Sequence, residues 1–292
     1  MLNGTLLKDE WYLLRKIGEG AFGEIYSTKN VHTKKVAAIK LERVDTKRQV
    51  LKLEVAALKR LQGCGSVTRL ITCGKFRGRE SEWNYMVMEL LGENLSELRK
   101  NYTEGFDLAV TLRIGVKMLN VIEEVHNLGY VHRDIKPSNF VVGLSGEKRK
   151  SIYLIDFGLA RRYISPEGDL RGERDCAGFR GTTRYASINS HLGKDLSRRD
   201  DIWSIFYILI EFAKGDLPWR RFKEKEKVGE LKMDCTGPEL VKDLPLEFLL
   251  FYEHLITIQF IEKPDYNLLK DLLIQSLRRL GSNENSPFPW EH

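Results

Sequence analysis

The chain has 292 residues, 42% of them hydrophobic and 30% charged, a balance that excludes a disordered or low-complexity protein and suits one large or two small folded domains. Lysine and arginine exceed aspartate and glutamate by six; over this length that is ordinary, no recognition motif accompanies it, and no nucleic-acid partner is expected. The four cysteines, at 64, 73, 176 and 235, form no Cys-x-x-Cys or Cys/His cluster, which argues against structural zinc and for free thiols.

The first residues carry Lys8, Asp9 and Glu10 where a signal peptide would be apolar. The longest apolar stretch, 202–213, contains Ser204 and Glu211 and is too short to span a bilayer. A soluble protein of the cytoplasm or nucleus, without membrane insertion, is therefore expected. Residues 12–18, 23–28 and 35–41 read as three strands with turns between them. A helix is expected over 46–61, with Val50, Leu53, Ala57 and Leu61 on one face and Gly63 to end it. Strands at 70–75 and 83–90 complete a small sheet. Beyond Gly92 the pattern turns helical. Asp107 can cap a long helix with Leu108, Leu112, Val116, Leu119 and Ile122 facing inward, and Gly129 lies just past its end. Short strands fit 140–142 and 153–155, and further helices fit 201–214 and 246–259. The order implies an α+β protein: a small sheet-rich lobe with one helix, then a larger helical lobe, joined near 89–92, where a cleft would be an ordinary place for a ligand.

Gly18-Glu19-Gly20-Ala21-Phe22-Gly23 lies between the first two predicted strands. Glycines let a backbone approach phosphates closely, and their amides donate to phosphate oxygens. The same spelling occurs in dinucleotide-binding oxidoreductases, but there a helix follows, and here residues 24–28 read as a strand. A plain glycine-rich hairpin remains the bland reading. Lys40 follows on the third strand as a candidate point charge for phosphates, or else a solvated surface lysine; Glu54, on the next helix, can pair with it, or else face water. The densest stretch is His132-Arg133-Asp134-Ile135-Lys136-Pro137-Ser138-Asn139, followed 22 residues after Asp134 by Asp156-Phe157-Gly158. A carboxylate at 134 can accept from a hydroxyl, Lys136 can neutralise developing charge, and Asn139 and Asp156 offer hard oxygens suited to Mg²⁺.

Taken in order, these residues resemble a eukaryotic protein kinase, and the resemblance runs from about Trp11 to Leu280. The roles follow that template rather than spacing alone. It implies a bilobal kinase fold over residues 1–292, with an antiparallel-sheet N-lobe at about 11–91, a mainly helical C-lobe at 92–280 and a short tail at 281–292. It implies ATP with Mg²⁺ (or Mn²⁺), Asp134 as the base, Lys136 beside it, and Asn139 and Asp156 as metal ligands. Ile17, Gly18, Glu19, Gly20, Gly23 and Ile25 would cover the nucleotide together with Ala38 and Val141. Met88 would guard the back of the adenine pocket, with Glu89 and Leu91 offering backbone groups to its edge. Thr182 would contact Asp134 and shape the acceptor site, while Asp201 would brace the His132–Asp134 loop.

Lys136 after His-Arg-Asp-Ile resembles the serine/threonine class. Gly181-Thr-Thr-Arg-Tyr-Ala-Ser187-Ile188-Asn189 replaces the usual Ala-Pro-Glu and is similar to the casein kinase I superfamily, as are Met86-Val-Met-Glu-Leu-Leu-Gly92 and Ser197-Arg-Arg-Asp-Asp201. Trp203, Ala177-Gly-Phe-Arg-Gly-Thr182, Leu217-Pro-Trp-Arg and Lys263-Pro-Asp-Tyr266 resemble its tau-tubulin kinase branch. That branch implies protein substrates with Ser or Thr acceptors in acidic or phosphate-primed contexts, cytoskeleton-associated proteins among them, and a monomer active without activation-loop phosphorylation. Arg184 matches a family arginine associated with anions. A second family lysine has no clear counterpart: the nearest match falls near Glu230, with Lys227 close by as the candidate. Arg161, Arg162, Arg171, Arg174 and Arg180 surround the same segment, as an anion site or as a solvated basic face. The rival from another class is a pseudokinase scaffold that binds partners without turnover.

Overall fold

The computed structural model describes residues 4–20, 23–78, 81–102 and 105–291. Ala21 and Phe22, at the middle of the glycine-rich stretch, and the outermost residues of the 1–292 span lie outside the described residues. The chain forms two compact units, one of Met1–Gly92 with Ile155–Gly158, the other of Glu93–Leu154 with Leu159–His292.

The first unit holds a six-stranded sheet of β1 (Leu6–Leu7), β2 (Trp11–Gly20), β3 (Gly23–Asn30), β4 (Val36–Arg43), β5 (Leu70–Arg77) and β6 (Glu82–Met88), in the order β1-β2-β3-β4-β6-β5. Every neighbouring pair is antiparallel. Two-residue periodicity decides which side chains face the core. Tyr26 pairs with Ile39, Ile39 with Val87 and Leu41 with Tyr85, and these side chains, with Leu7, Trp11 and Leu13, form one buried cluster. The alternate positions, Ile25, Ala38, Lys40, Met86 and Met88, share the opposite face. β1 has no counterpart among the expected strands, because two residues are too few to show alternation.

Helix α1 spans Leu51–Arg60 and starts five residues later than expected. The polar run before it bonds elsewhere: Thr46 Oγ1 donates to the Arg43 carbonyl and Gln49 Nε2 to the Val44 carbonyl, a competition that keeps polar side chains out of helices. The helix start is instead capped from β4, where Glu42 accepts from the amides of Val50 (2.7 Å) and Leu51 (3.0 Å). Of the expected inward residues, Val50, Ala57 and Leu61 are buried, and Leu53 is corrected: it is 65% exposed, while Leu51, Glu54 and Leu58 turn inward. Gly63 does not end the helix, which closes at Leu61.

The second unit begins with α2 (Leu95–Lys100) and α3 (Leu108–Asn127). Asp107 caps α3 by accepting from the Val110 amide at 2.6 Å, and Leu112, Val116, Leu119 and Ile122 are buried while Leu108 is only half-buried. Two short antiparallel pairs follow, β7 (Tyr130–Val131) with β10 (Arg161–Arg162) and β8 (Phe140–Val142) with β9 (Ile152–Leu154); β9 sits one residue earlier than expected. The remaining helices are α4 (Ile188–His191), α5 (Arg198–Lys214), α6 (Lys225–Asp234), α7 (Gly237–Leu240), α8 (Leu246–Thr257) and α9 (Tyr266–Arg279). α5 starts three residues before the expected position, where Asp200 accepts from the Ser197 amide at 2.8 Å, and α8 ends two residues sooner. α5 is buried almost all round, as a helix at the centre of a domain must be. α3 packs so closely on α5 and α9 that a methyl at Gly115 would lie 2.7 Å from Leu273 and 3.0 Å from Leu209. Residues 281–291 return to this unit: Phe288 and Trp290 are buried and stacked at 4.5 Å, and Arg149 Nε donates to the Trp290 carbonyl at 2.6 Å. No helix among the described residues is long and apolar enough to cross a membrane.

Candidate active site

In the first unit, β4 points Lys40 away from the apolar cluster and α1 turns Glu54 inward to meet it. Lys40 Nζ lies 2.7 Å from Glu54 and 3.1 Å from Asp156. Lys40 and Glu54 are both nearly inaccessible, whereas the Asp156 side chain is 35% exposed. Burial disfavours the ammonium, but the two carboxylates outweigh it and raise the Lys40 pKa above the ordinary lysine value. Burial pushes the Glu54 carboxyl up, against the pull of Lys40. The unit therefore presents a fixed cation held on one side by a buried acid, with a partly open carboxylate on the other. Asp156 sits at φ +65°, a left-handed conformation that costs a non-glycine residue of order 1–3 kcal/mol and persists only where surroundings enforce it.

The glycine-rich turn of this unit joins β2 to β3 as a hairpin, with Gly18 opposite Ile25, Glu19 opposite Glu24 and Gly20 opposite Gly23. A strand follows the glycines, which removes the dinucleotide-fold alternative. Gly23 is required by the protein itself: at φ +155°, a Cβ would stand 2.1 Å from the Leu41 carbonyl oxygen. Gly20 has no described heavy atom within 4 Å of such a Cβ. Ile17 is exposed, Ile25 and Met88 are half-buried, and Ala38 is buried beside Met88 in the sheet register. Glu89 and Leu91 lie after β6. The Glu89 amide donates to the Arg69 carbonyl and its own carbonyl accepts from Thr68 Oγ1.

The second unit arranges the other candidates around Asp134. Lys136 Nζ lies 2.7 Å from Asp134 Oδ2, and Thr182 Oγ1 donates to Asp134 Oδ1 at 2.7 Å. Asn139 Nδ2 donates to the Asp134 carbonyl at 2.9 Å. Val141, one step further on β8, is buried. The loop is fixed from beneath: Asp201, 1% exposed, accepts from the amides of His132 (2.7 Å) and Arg133 (2.8 Å) and from His126 Nε2 (3.0 Å). Burial pushes the His126 pKa down, so the ring is neutral. Its Nε2 carries the proton toward Asp201, and Nδ1 accepts from the Tyr266 hydroxyl at 2.6 Å. Arg133 is held at φ +66°. Gly181, at φ +92°, lies so close that a Cβ would stand 2.8 Å from the Arg133 carbonyl oxygen.

A family model described as the protein kinase domain matches residues 11–275. The chain belongs to the protein kinase family. A Dictyostelium discoideum protein named a "probable serine/threonine-protein kinase" is 56% identical to this kinase over 289 residues, which is 99% of the chain and 58% of that relative. The chain thus spans little more than half the length of the curated relative it matches.

The family implies ATP and a divalent ion, and the donor set suits them. Asn139 Nδ2 is turned to the Asp134 carbonyl, which fixes the amide and leaves its oxygen as the acceptor it can offer a cation. Among the described residues no group of three or more acidic, His or Cys side chains forms a metal cage. The Asp156 carboxylate in the first unit and the Asn139 amide oxygen in the second are each hard oxygen donors of the kind divalent ions take. Among the described residues, the kinase brings Lys40, Glu54 and Asp156 together in one unit, and Asp134, Lys136, Asn139 and Thr182 in the other.

Three of the six arginines of segment 161–184 in the kinase meet carboxylates within their unit. Arg161 and Arg174 both bind Asp195, at 2.6 and 2.8 Å. Arg184 lies 3.3 Å from buried Glu211, which also accepts from the Tyr185 hydroxyl at 2.6 Å. Lys227 pairs with Glu230 on α6 at 3.3 Å, so neither candidate anion ligand stands unpaired. Arg133 donates to the Leu159 carbonyl, and burial together with Arg161, Arg174 and Arg180 lowers its pKa to about 10. Beside the loop lies a cavity of about 500 Å³ lined by Arg99, Lys100, Pro137, Arg184, Glu211 and Arg220. Sequence reasoning did not point to Glu42, Asp195 or Tyr266, because each acts on groups remote in the chain.

Proposed function

We propose that this chain transfers the γ-phosphoryl group of ATP to serine or threonine hydroxyls of protein substrates. The carrying observation is Asp134, whose two carboxylate oxygens are held by Lys136 and by Thr182 at 2.7 Å each. In this reading the acceptor hydroxyl replaces the Thr182 or Lys136 hydrogen bond, gives its proton toward Asp134, and forms a bond to the γ-phosphorus as the bridging oxygen departs with ADP. Lys136 offsets charge on the moving group, and Lys40, steadied by Glu54, offsets charge on the phosphates that stay behind. Asp156 in one unit and Asn139 in the other would each offer an oxygen to a divalent ion, which supplies neutralising charge for the phosphates. Radiolabel transfer from Mg-ATP to a degenerate peptide library tests this, beside Asp134→Asn and Lys40→Met. Transfer to Ser/Thr peptides by the native chain and at least about 100-fold less by either variant is expected; equal rates would refute the assignment.

We further propose the casein kinase I superfamily, nearest its tau-tubulin kinase branch, and acceptors near acidic or phosphorylated residues. Four cationic side chains, Arg99, Lys100, Arg184 and Arg220, against one carboxylate in the cavity beside Pro137 support an anionic neighbour of the acceptor. Paired peptides differing only in Ser or phospho-Ser near the acceptor should differ in rate, and Arg184→Ala should erase the difference. Activity without activation-loop phosphorylation is supported by Asp195, which already supplies a carboxylate to Arg161 and Arg174; loss of activity on phosphatase treatment would refute it.

A further inference from the structure

Segment 182–187 links Thr182, which touches Asp134, to α4. It is a tight turn in which the amides of Tyr185 and Ala186 both donate to the Thr182 carbonyl at 2.9 Å. The next carbonyls are held from below. Lys232 Nζ, on α6, donates to the carbonyls of Thr183 (2.9 Å) and Ala186 (2.6 Å), and Trp219 Nε1 donates to that of Arg184 (2.8 Å).

Lys232 is 3% exposed and has no carboxylate partner among the described residues. The rings of Tyr207 and Trp219 lie 4.8 and 5.1 Å from its nitrogen. Its third hydrogen faces His191 Nε2 at 3.4 Å. His191 Nδ1 bonds the Lys225 carbonyl, which makes Nε2 an acceptor. Burial and then Lys232 lower the His191 pKa to about 4, so at neutral pH that acceptor is available. The amino group thus has three acceptors for three donors and two aromatic faces, although burial pushes its pKa well down. An apolar residue of similar volume would fill this space without desolvating an amine. What lysine adds is a single point that grips both ends of the turn.

We propose that Lys232 is a positioning residue for the acceptor segment, clamping Thr183 and Ala186 so that Thr182 stays on Asp134 and the peptide meets an ordered backbone. The inference rests on the kinase reading above. It is tested with Lys232→Met, which keeps volume and removes all donors, Lys232→Gln, which keeps two, and Lys232→Arg, which keeps the charge. Concentrations are set by nucleotide-binding sites rather than total protein. For Lys232→Met, kcat/KM for peptide should fall by about tenfold or more, while KM for ATP stays within about twofold; Gln and Arg should fall between Met and the native chain. Hydrogen exchange at the Tyr185 and Ala186 amides should accelerate in the same order. Native constants per nucleotide site in Lys232→Met would overturn the proposal, as would loss of folded protein in all three variants, which would make Lys232 a core residue and nothing more. A native chain that binds ATP but phosphorylates no peptide would instead defeat the kinase reading, and the exchange data would still judge the clamp.

Discussion

Replacing Asp201 by asparagine changes one oxygen to an NH₂ group and almost nothing in volume. Three donors converge on the carboxylate: the amides of His132 and Arg133 and His126 Nε2. His132 and His126 share Oδ2, and Arg133 has Oδ1. An amide oxygen can serve one side only, so its NH₂ must face at least one N–H, donor against donor. The surviving bonds also lose their charge. Hydrogen bonds to a charged group contribute about 1.5–3 kcal/mol each, and a stranded buried donor costs about 1–3 kcal/mol, which together give about 3–5 kcal/mol. That is a large part of an ordinary stability of about 5–15 kcal/mol. At about 2–4 °C per kcal/mol for domains approaching this size, the melting temperature should fall by about 6–20 °C. Differential scanning calorimetry measures this, and turnover per nucleotide-binding molecule is measured well below the transition. Asp201→Asn should reduce folded yield more than turnover per folded molecule. Unchanged melting with turnover abolished would refute the bracing role and place Asp201 in the chemistry itself.

Asp195 has its pKa lowered to about 2, since hydrogen bonds and charge from Arg174 and Arg161 overcome the opposing effect of burial. A depressed acid stabilises the fold above its unfolded pKa and loses that contribution as pH falls; urea unfolding of the native chain should therefore weaken by about 2 kcal/mol between pH 4 and 2 through this group, and Asp195→Asn should lose that dependence while being less stable at pH 7. Glu42→Ala strands the Val50 and Leu51 amides and should cost about 2 kcal/mol; because it loosens the helix carrying Glu54, KM for ATP should rise, and an unchanged KM would show that the cap is structural alone. Gly181→Ala forces a methyl into 2.8 Å of the Arg133 carbonyl oxygen at φ +92°; a lower melting temperature and lower kcat are expected, and native values of both would refute the tight contact.

Much of the fold was legible because periodicity carried it. The alternation of β3, β4 and β6 and the inward stripe of α3 are the patterns that apolar burial imposes on strands and helices. α1 was misread for a physical reason: its inward face includes Glu54, which a rule seeking apolar residues passes over, while exposed Leu53 satisfies it. Its start was hidden as well, because Thr46 and Gln49 are acceptable in a helix until their side chains find backbone carbonyls. The arginine-rich segment was legible as a charge pattern, not as pairing. Asp195 lies far enough along the chain that nothing in the local spacing ties it to Arg161.

The residues that were legible and those that were not differ in what they bind. Lys40, Asp134 and Asp156 stand in motifs, and their partners are particular side chains. Glu42 and Lys232 bind backbone instead: the amides of Val50 and Leu51, and the carbonyls of Thr183 and Ala186; Asp201, which holds the amides of His132 and Arg133, was reached through the family resemblance and not through spacing. Every residue but proline offers the same amide and carbonyl, so the partner's identity leaves no mark in the sequence, and only the fold reveals the pair. The same fact explains where such residues occur. Arg133 sits in a left-handed conformation that local sequence does not favour, and the Thr183–Ala186 turn has carbonyls that no regular ladder satisfies. A buried charge is the strongest available ligand for a backbone group with no secondary-structure partner, which makes it the device that holds an irregular loop in one shape at the place where phosphoryl transfer demands it.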